Sequence, residues 1–147
     1  MLKGVKNFEC PIVEKIHLFV DDDEALCELN SITNNSDKVK IIEIGKKPKY
    51  YDFFKYILDN LSNHTCMIIN ADIYLHDYDI KLIEELKVNK YIYALTRHEH
   101  DMSHPLMEQY GGSHDCYLFH SSFIEPKIIS DHLYFYQNIL GIETHII

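Results

Sequence analysis

The stretch "TCMIINADIYLHD", Thr65 to Asp77, turns on one junction. Its apolar run Cys66-Met67-Ile68-Ile69 ends in Asn70-Ala71-Asp72. A short apolar run closed by polar turn residues predicts a buried strand over 65–70. Asn70 and Asp72 are two positions apart, so on extended backbone their side chains point the same way. Carboxylate and amide oxygens are hard ligands, suited to Mg²⁺ or Mn²⁺ with substrate phosphates as co-ligands. The same two residue types also make ligand-free Asx turns at strand ends. The surrounding chain bears on the choice.

Upstream, "VEKIHLFV" over 13–20 is β-branched and partly alternating, which predicts a strand. "DDDEALCELNSI" comes next, with acids where a helix start favours them and Ala25, Leu26 and Leu29 at helical spacing. "VKIIEI" over 39–44 predicts a second strand, stopped by Gly45. "YYDFFKYILDNLSN" places Tyr50, Phe53, Phe54, Ile57, Leu58 and Leu61 along one helix face. Downstream, "DYDIKLIEELK" predicts a helix with Ile80, Ile83 and Leu86 on one side, and "KYIYALT" over 90–96 a strand. A polar, His-rich loop leads to the strand "CYLFHS", and "SDHLYFYQNILG" predicts a final helix capped by Ser130. This alternation implies one α/β domain over 1–147, three layers deep, with a mostly parallel central sheet. Ligands of such sheets bind at the carboxyl ends of the strands. Asn70-Ala71-Asp72 and Arg97-His98-Glu99 come directly after predicted strands, and His114-Asp115 directly precedes one.

Composition narrows the classes. With 147 residues, 46% hydrophobic and 25% charged, the chain can bury a real core and is not of disordered type. A formal net charge of −9 argues against a broad nucleic-acid surface, while leaving room for a local anion site built from a few cations. No stretch approaches the roughly 20 apolar residues of a membrane span. The start, "MLKGVKNFECPIVEK", lacks a signal-peptide pattern. Cys10, Cys27, Cys66 and Cys116 are scattered with no CxxC, which fits free thiols in a reducing, cytoplasmic setting.

Taken together, "IINADIYLHD" with a helix after it, "YALTRHE" and "GGSHDCYLF" resemble sugar-nucleotide glycosyltransferases of the GT-A type. One branch of these carries an NADI-like form of the acidic DxD metal motif. "GKKPKYYDFFKYI" upstream resembles the same branch's Gly-Lys-x-Pro-x-Tyr segment and helix. The resemblance runs from about Val13 to Ile147; each motif is weak alone, and their order and spacing carry it. It implies a nucleotide-sugar donor, a hydroxyl acceptor (glycan, protein or small molecule) and an Mn²⁺ or Mg²⁺ cofactor. Asp72 would ligate the metal. Asn70, standing where the first acid of DxD would be, would touch metal or ribose. Arg97 would offer its fork to phosphate or acceptor, and Asp115 would take the acceptor proton as catalytic base. Tyr50 and Tyr51 would line the approach to the nucleotide.

Each role has a plainer counterpart. Arg97 can pair with Glu99 or Asp101 at the surface, Asp115 can stabilise a turn after Gly111-Gly112, and the tyrosines can be core residues of their helix. Asp77 and Asp79 read as helix-start acids. His98, His100, His104, His114 and His120 cluster with Glu99, Asp101 and Asp115, which leaves a His/Asp metal-dependent hydrolase as a weaker alternative. No HExxH spacing supports it.

The chain also departs from the family. The family pattern places a further central strand before the segment 13–20, and here only a short segment precedes it. Such transferases also continue past the "GIETHII"-like segment with a late His ligand, which His145 does not match. Strands 13–20 and 65–70 would then close up directly, take a strand from another chain, or belong to a fragment. A non-catalytic module acting through a partner or as a homo-oligomer is the corresponding alternative.

Overall fold

A computed structural model describes residues 7, 9–33, 36–75, 79–95 and 116–126. The elements run β1 (Ile16–Val20), α1 (Asp23–Thr33), β2 (Val39–Glu43), α2 (Tyr50–Asn60), β3 (Thr65–Ile69), α3 (Ile80–Val88), β4 (Ile92–Leu95) and β5 (Cys116–His120). Every strand and helix expected within the described residues is present, most of them shorter than the sequence pattern suggests. The expected final helix lies outside the described residues. The chain is a small α/β protein with one parallel two-stranded sheet and one antiparallel three-stranded sheet.

The chain divides into two compact units. The first comprises Met1–Pro48 and Ala71–His76, the second Lys49–Asn70 and Asp77–Ile147.

In the first unit, β1 and β2 pair in parallel, Ile16 opposite Val39 through Val20 opposite Glu43. Parallel neighbours need a crossover, and α1 supplies it, packing against β1. Asp22 starts that helix by accepting the Ala25 N–H at 2.7 Å. Among the described residues of this unit, Cys10, Val20, Leu29 and Thr33 are buried.

The second unit departs from the parallel expectation. Its strand order is β3-β5-β4, with β5 antiparallel to both neighbours. An α-helical crossover fixes strand direction, and β5 does not come directly after one. Residues 96–115 intervene between β4 and β5, so the helix–strand rhythm holds no information about the direction of β5. Residues on β5 are buried throughout, as befits a strand flanked on both sides. On β3 the buried positions alternate, Cys66 and Ile68 facing the core.

That core joins Tyr50, Phe54 and Ile57 of α2 to Cys66, Ile68, Tyr117 and Phe119 of the sheet. Phe54 stacks on Phe119 at 5.3 Å between ring centroids, and Tyr50 meets Tyr117 edge-on at 5.8 Å. Both separations suit attractive ring quadrupoles. α3 packs on β3 and β5 and buries Leu86 completely. Helix starts are set by side chains. Asp52 accepts the Lys49 N–H at 2.8 Å, and Asp79 accepts the Lys81 N–H at 2.9 Å as N-cap of α3. The reading of Asp79 as a helix-start acid holds; Asp77 lies outside the described residues. Ser121, buried after β5, accepts the His64 N–H at 3.0 Å and donates to the Leu61 carbonyl at 2.6 Å. One hydroxyl thus ties the end of β5 to the turn between α2 and β3.

Among the described residues β1 has β2 as its only ladder partner, and β3 has only β5. No helix among the described residues is long and apolar enough to cross a membrane.

Candidate functional site

β3 ends at Ile69, and Asn70 is the first residue beyond the ladder. Asn70 is half-buried at the edge of the second unit. Ala71 and Asp72 form a turn, both exposed, and belong to the first unit. The Asn-x-Asp motif therefore spans the place where the chain passes from one unit to the other. Its acid projects from a turn into solvent, where a hard cation can be reached without desolvating a buried charge.

The segment after Asp72 is held by a residue far away in sequence. The Asn7 amide donates from Nδ2 to the Ile73 carbonyl at 3.1 Å, and its Oδ1 accepts the Leu75 N–H at 2.8 Å. One side chain thus satisfies an acceptor and a donor of the same extended segment, as a neighbouring strand would. This fixes the backbone directly after the acid within the first unit. The sequence reading assigns Asn7 no role. No local signal marks it, because its partners lie 66 and 68 positions away.

Tyr50 occupies a core position. It is 3% exposed, and its ring meets Phe53 and Tyr117 edge-on at 6.3 and 5.8 Å. This burial fits the core alternative for the residue. Tyr51 is half-buried against the same cluster. Arg97 and Asp115 lie outside the described residues, as do His98, His100, His104, His114 and His145. His120 is buried at the end of β5, its Nδ1 2.7 Å from Ser122 Oγ, with the Phe123 ring at 5.8 Å. Those contacts satisfy a strand-end histidine locally.

Among the described residues no three His, Cys, Asp or Glu side chains come together as a metal-binding group. A magnesium-type site is compatible with that arrangement. Such ions take one or two protein carboxylates and fill the remaining positions with phosphate and water. The exposed Asp72 is a carboxylate of that kind. The described cysteines offer no soft site. Cys66 is buried and its thiol is pushed up to about 11 by desolvation, which keeps it protonated and inert.

Comparison with protein-family models, with curated proteins and with solved structures finds no match.

Proposed function

We propose that this chain is a GT-A-like glycosyltransferase domain that moves a sugar from a nucleotide diphosphate to a hydroxyl acceptor with the help of Mn²⁺ or Mg²⁺. The observation that carries the reading is Asn70-Ala71-Asp72 at the carboxyl end of β3, with Asp72 exposed in a turn and the backbone beyond it fixed by Asn7. Ordered behind it in sequence are Arg97 and Asp115, whose roles rest on motif order alone. In this reading the Asp72 carboxylate anchors the cation, and the Asn70 amide adds a weaker contact to the metal or ribose. Arg97 holds a phosphate oxygen or the acceptor, and Asp115 receives the acceptor proton. The metal's contribution is Lewis-acid stabilisation of the departing diphosphate. A three-layer sheet of the GT-A kind belongs to this proposal. Support for it comes from the alternation of strands and helices along the chain.

Calorimetric titration with MnCl₂ and a panel of sugar nucleotides tests the reading. Wild type should bind at least one donor in a manganese-dependent way, and Asp72→Ala should weaken it at least tenfold. No binding by wild type, or equal binding by the variant, would sink the catalytic reading.

A different observation favours a second reading, a module without transferase activity that assembles with itself or a partner. Among the described residues the first unit's sheet has only two strands, fewer than an isolated sheet usually needs for stability. Light scattering after size-exclusion chromatography separates the two readings. A strictly monomeric species that turns over sugar nucleotide would exclude the second.

A further inference from the structure

β5 ends beside a hydroxyl that reaches solvent. His120 is the last residue of the strand, and a short 3₁₀ turn, Ser121–Phe123, comes directly after it. His120 Nδ1 and Ser122 Oγ are 2.7 Å apart. The imidazole is buried and Ser122 is exposed, so the pair joins an interior base to a surface alcohol. Both partners are held from outside the pair. His120 stands opposite Thr65 in the antiparallel register, and its ring packs against Phe123 at 5.8 Å between centroids. Ser121, between the two, donates its N–H to the His64 carbonyl at 2.8 Å, while its own hydroxyl bridges His64 and Leu61. The turn is thereby anchored to the segment before β3, and side chains on anchored backbone keep their mutual geometry. The cation site proposed at Asp72 uses neither residue.

We infer that Ser122 is a nucleophile for activated acyl groups, with His120 as its general base. A serine hydroxyl is a weak nucleophile until a base within hydrogen-bond reach takes its proton, and 2.7 Å is within that reach. The arrangement uses the tautomer with its proton on Nε2: Nδ1 then accepts and the Ser122 O–H donates. In the step, Ser122 Oγ attacks the carbonyl carbon of an activated ester. The Oγ–H proton passes to Nδ1, the Oγ–C bond forms, and the ester's C–O bond breaks. The departing alcohol takes the proton from the ring, and the protein is left as a serine ester. Water activated by the same base then returns Ser122 and releases the acid. Ser31 supplies the contrast within this chain. It is exposed on α1, but its hydroxyl donates to the Glu28 carbonyl at 2.6 Å, and an amide carbonyl is no base for that proton.

The experiment treats the full chain with p-nitrophenyl acetate at neutral pH and locates acetyl esters by peptide mass spectrometry. Ser122 should be acetylated at least about tenfold faster than Ser31. Unfolding the chain in urea should erase that preference, because the preference depends on the folded geometry. His120→Gln, with its fold checked by circular dichroism, should bring Ser122 down to the rate of Ser31. The tautomer is read independently, from long-range proton–nitrogen NMR correlations of the wild-type imidazole, which should show Nδ1 without a proton. Those wild-type measurements stand whatever the stability of the His120 variant. Equal rates at Ser122 and Ser31 in the folded chain, a preference that persists in urea, or a proton on Nδ1 overturns the inference. A folded His120→Gln variant that keeps the preference overturns it as well.

Discussion

Gly45 lies two positions after β2 with φ at +61, the left-handed region, and a Cβ built there would meet nothing within 4 Å. Gly45→Ala therefore costs backbone strain alone, about 1 kcal/mol, read as a lower denaturant midpoint at unchanged slope. His17 gives a pH signature. Its folded pKa lies below the unfolded value because burial, Lys40 and Lys15 disfavour the charged ring. The unfolded chain then binds the proton first, so the stability this residue contributes is present above the unfolded pKa of about 6.5 and is lost as pH falls through the folded pKa. His17→Asn should flatten that part of the stability–pH curve, as measured by urea titration at several pH values. The cysteines separate by environment. Cys27 is exposed on α1, while Cys66 is buried with its pKa raised to about 11. At about pH 8 a thiol reagent should modify Cys27 quickly and leave Cys66 protected until unfolding, as mass spectrometry of the digest would show.

At the scale of elements, α2, β3 and β5 together build the core cluster of the second unit's described residues. Phe54→Ala empties a site 4% exposed and stacked on Phe119, which costs about 3–5 kcal/mol. That is a large part of a small domain's whole stability, so thermal denaturation should show a severely lowered or absent transition. Ser121→Ala leaves the His64 N–H and the Leu61 carbonyl without their bridge and should cost about 1–3 kcal/mol, measured the same way. These elements were legible in the sequence because local patterns encode them. Tyr50, Phe54 and Ile57 fall at helical spacing, and Cys66 and Ile68 at strand spacing. Strand direction was not legible. Whether β5 runs parallel or antiparallel depends on a long connection whose residues carry no periodicity, and the alternation rule defaulted to parallel. Asn7 was invisible for a related reason: its role exists only through backbone groups 66 and 68 positions away.

For the molecule as a whole, the order Asn70, Asp72, Arg97, Asp115 is a sequence fact, and the described structure supplies the setting of the first two. Asn70 closes β3 in the second unit, and Asp72 opens a short segment that the first unit holds through Asn7. Asn7→Ala should therefore loosen residues 73–75 without unfolding either core, seen as faster amide exchange at Leu75 with the Leu86 amide unchanged. The central claim is that Asp72 is the cation's anchor. Its most direct test is paramagnetic relaxation of backbone amide signals on adding substoichiometric Mn²⁺ in the presence of a nucleoside diphosphate. The account predicts selective broadening of the amides of Asn70 to Ile73, abolished in Asp72→Asn. Broadening centred on other exposed acids, such as Asp21 to Glu24, and unaltered by that substitution would contradict it.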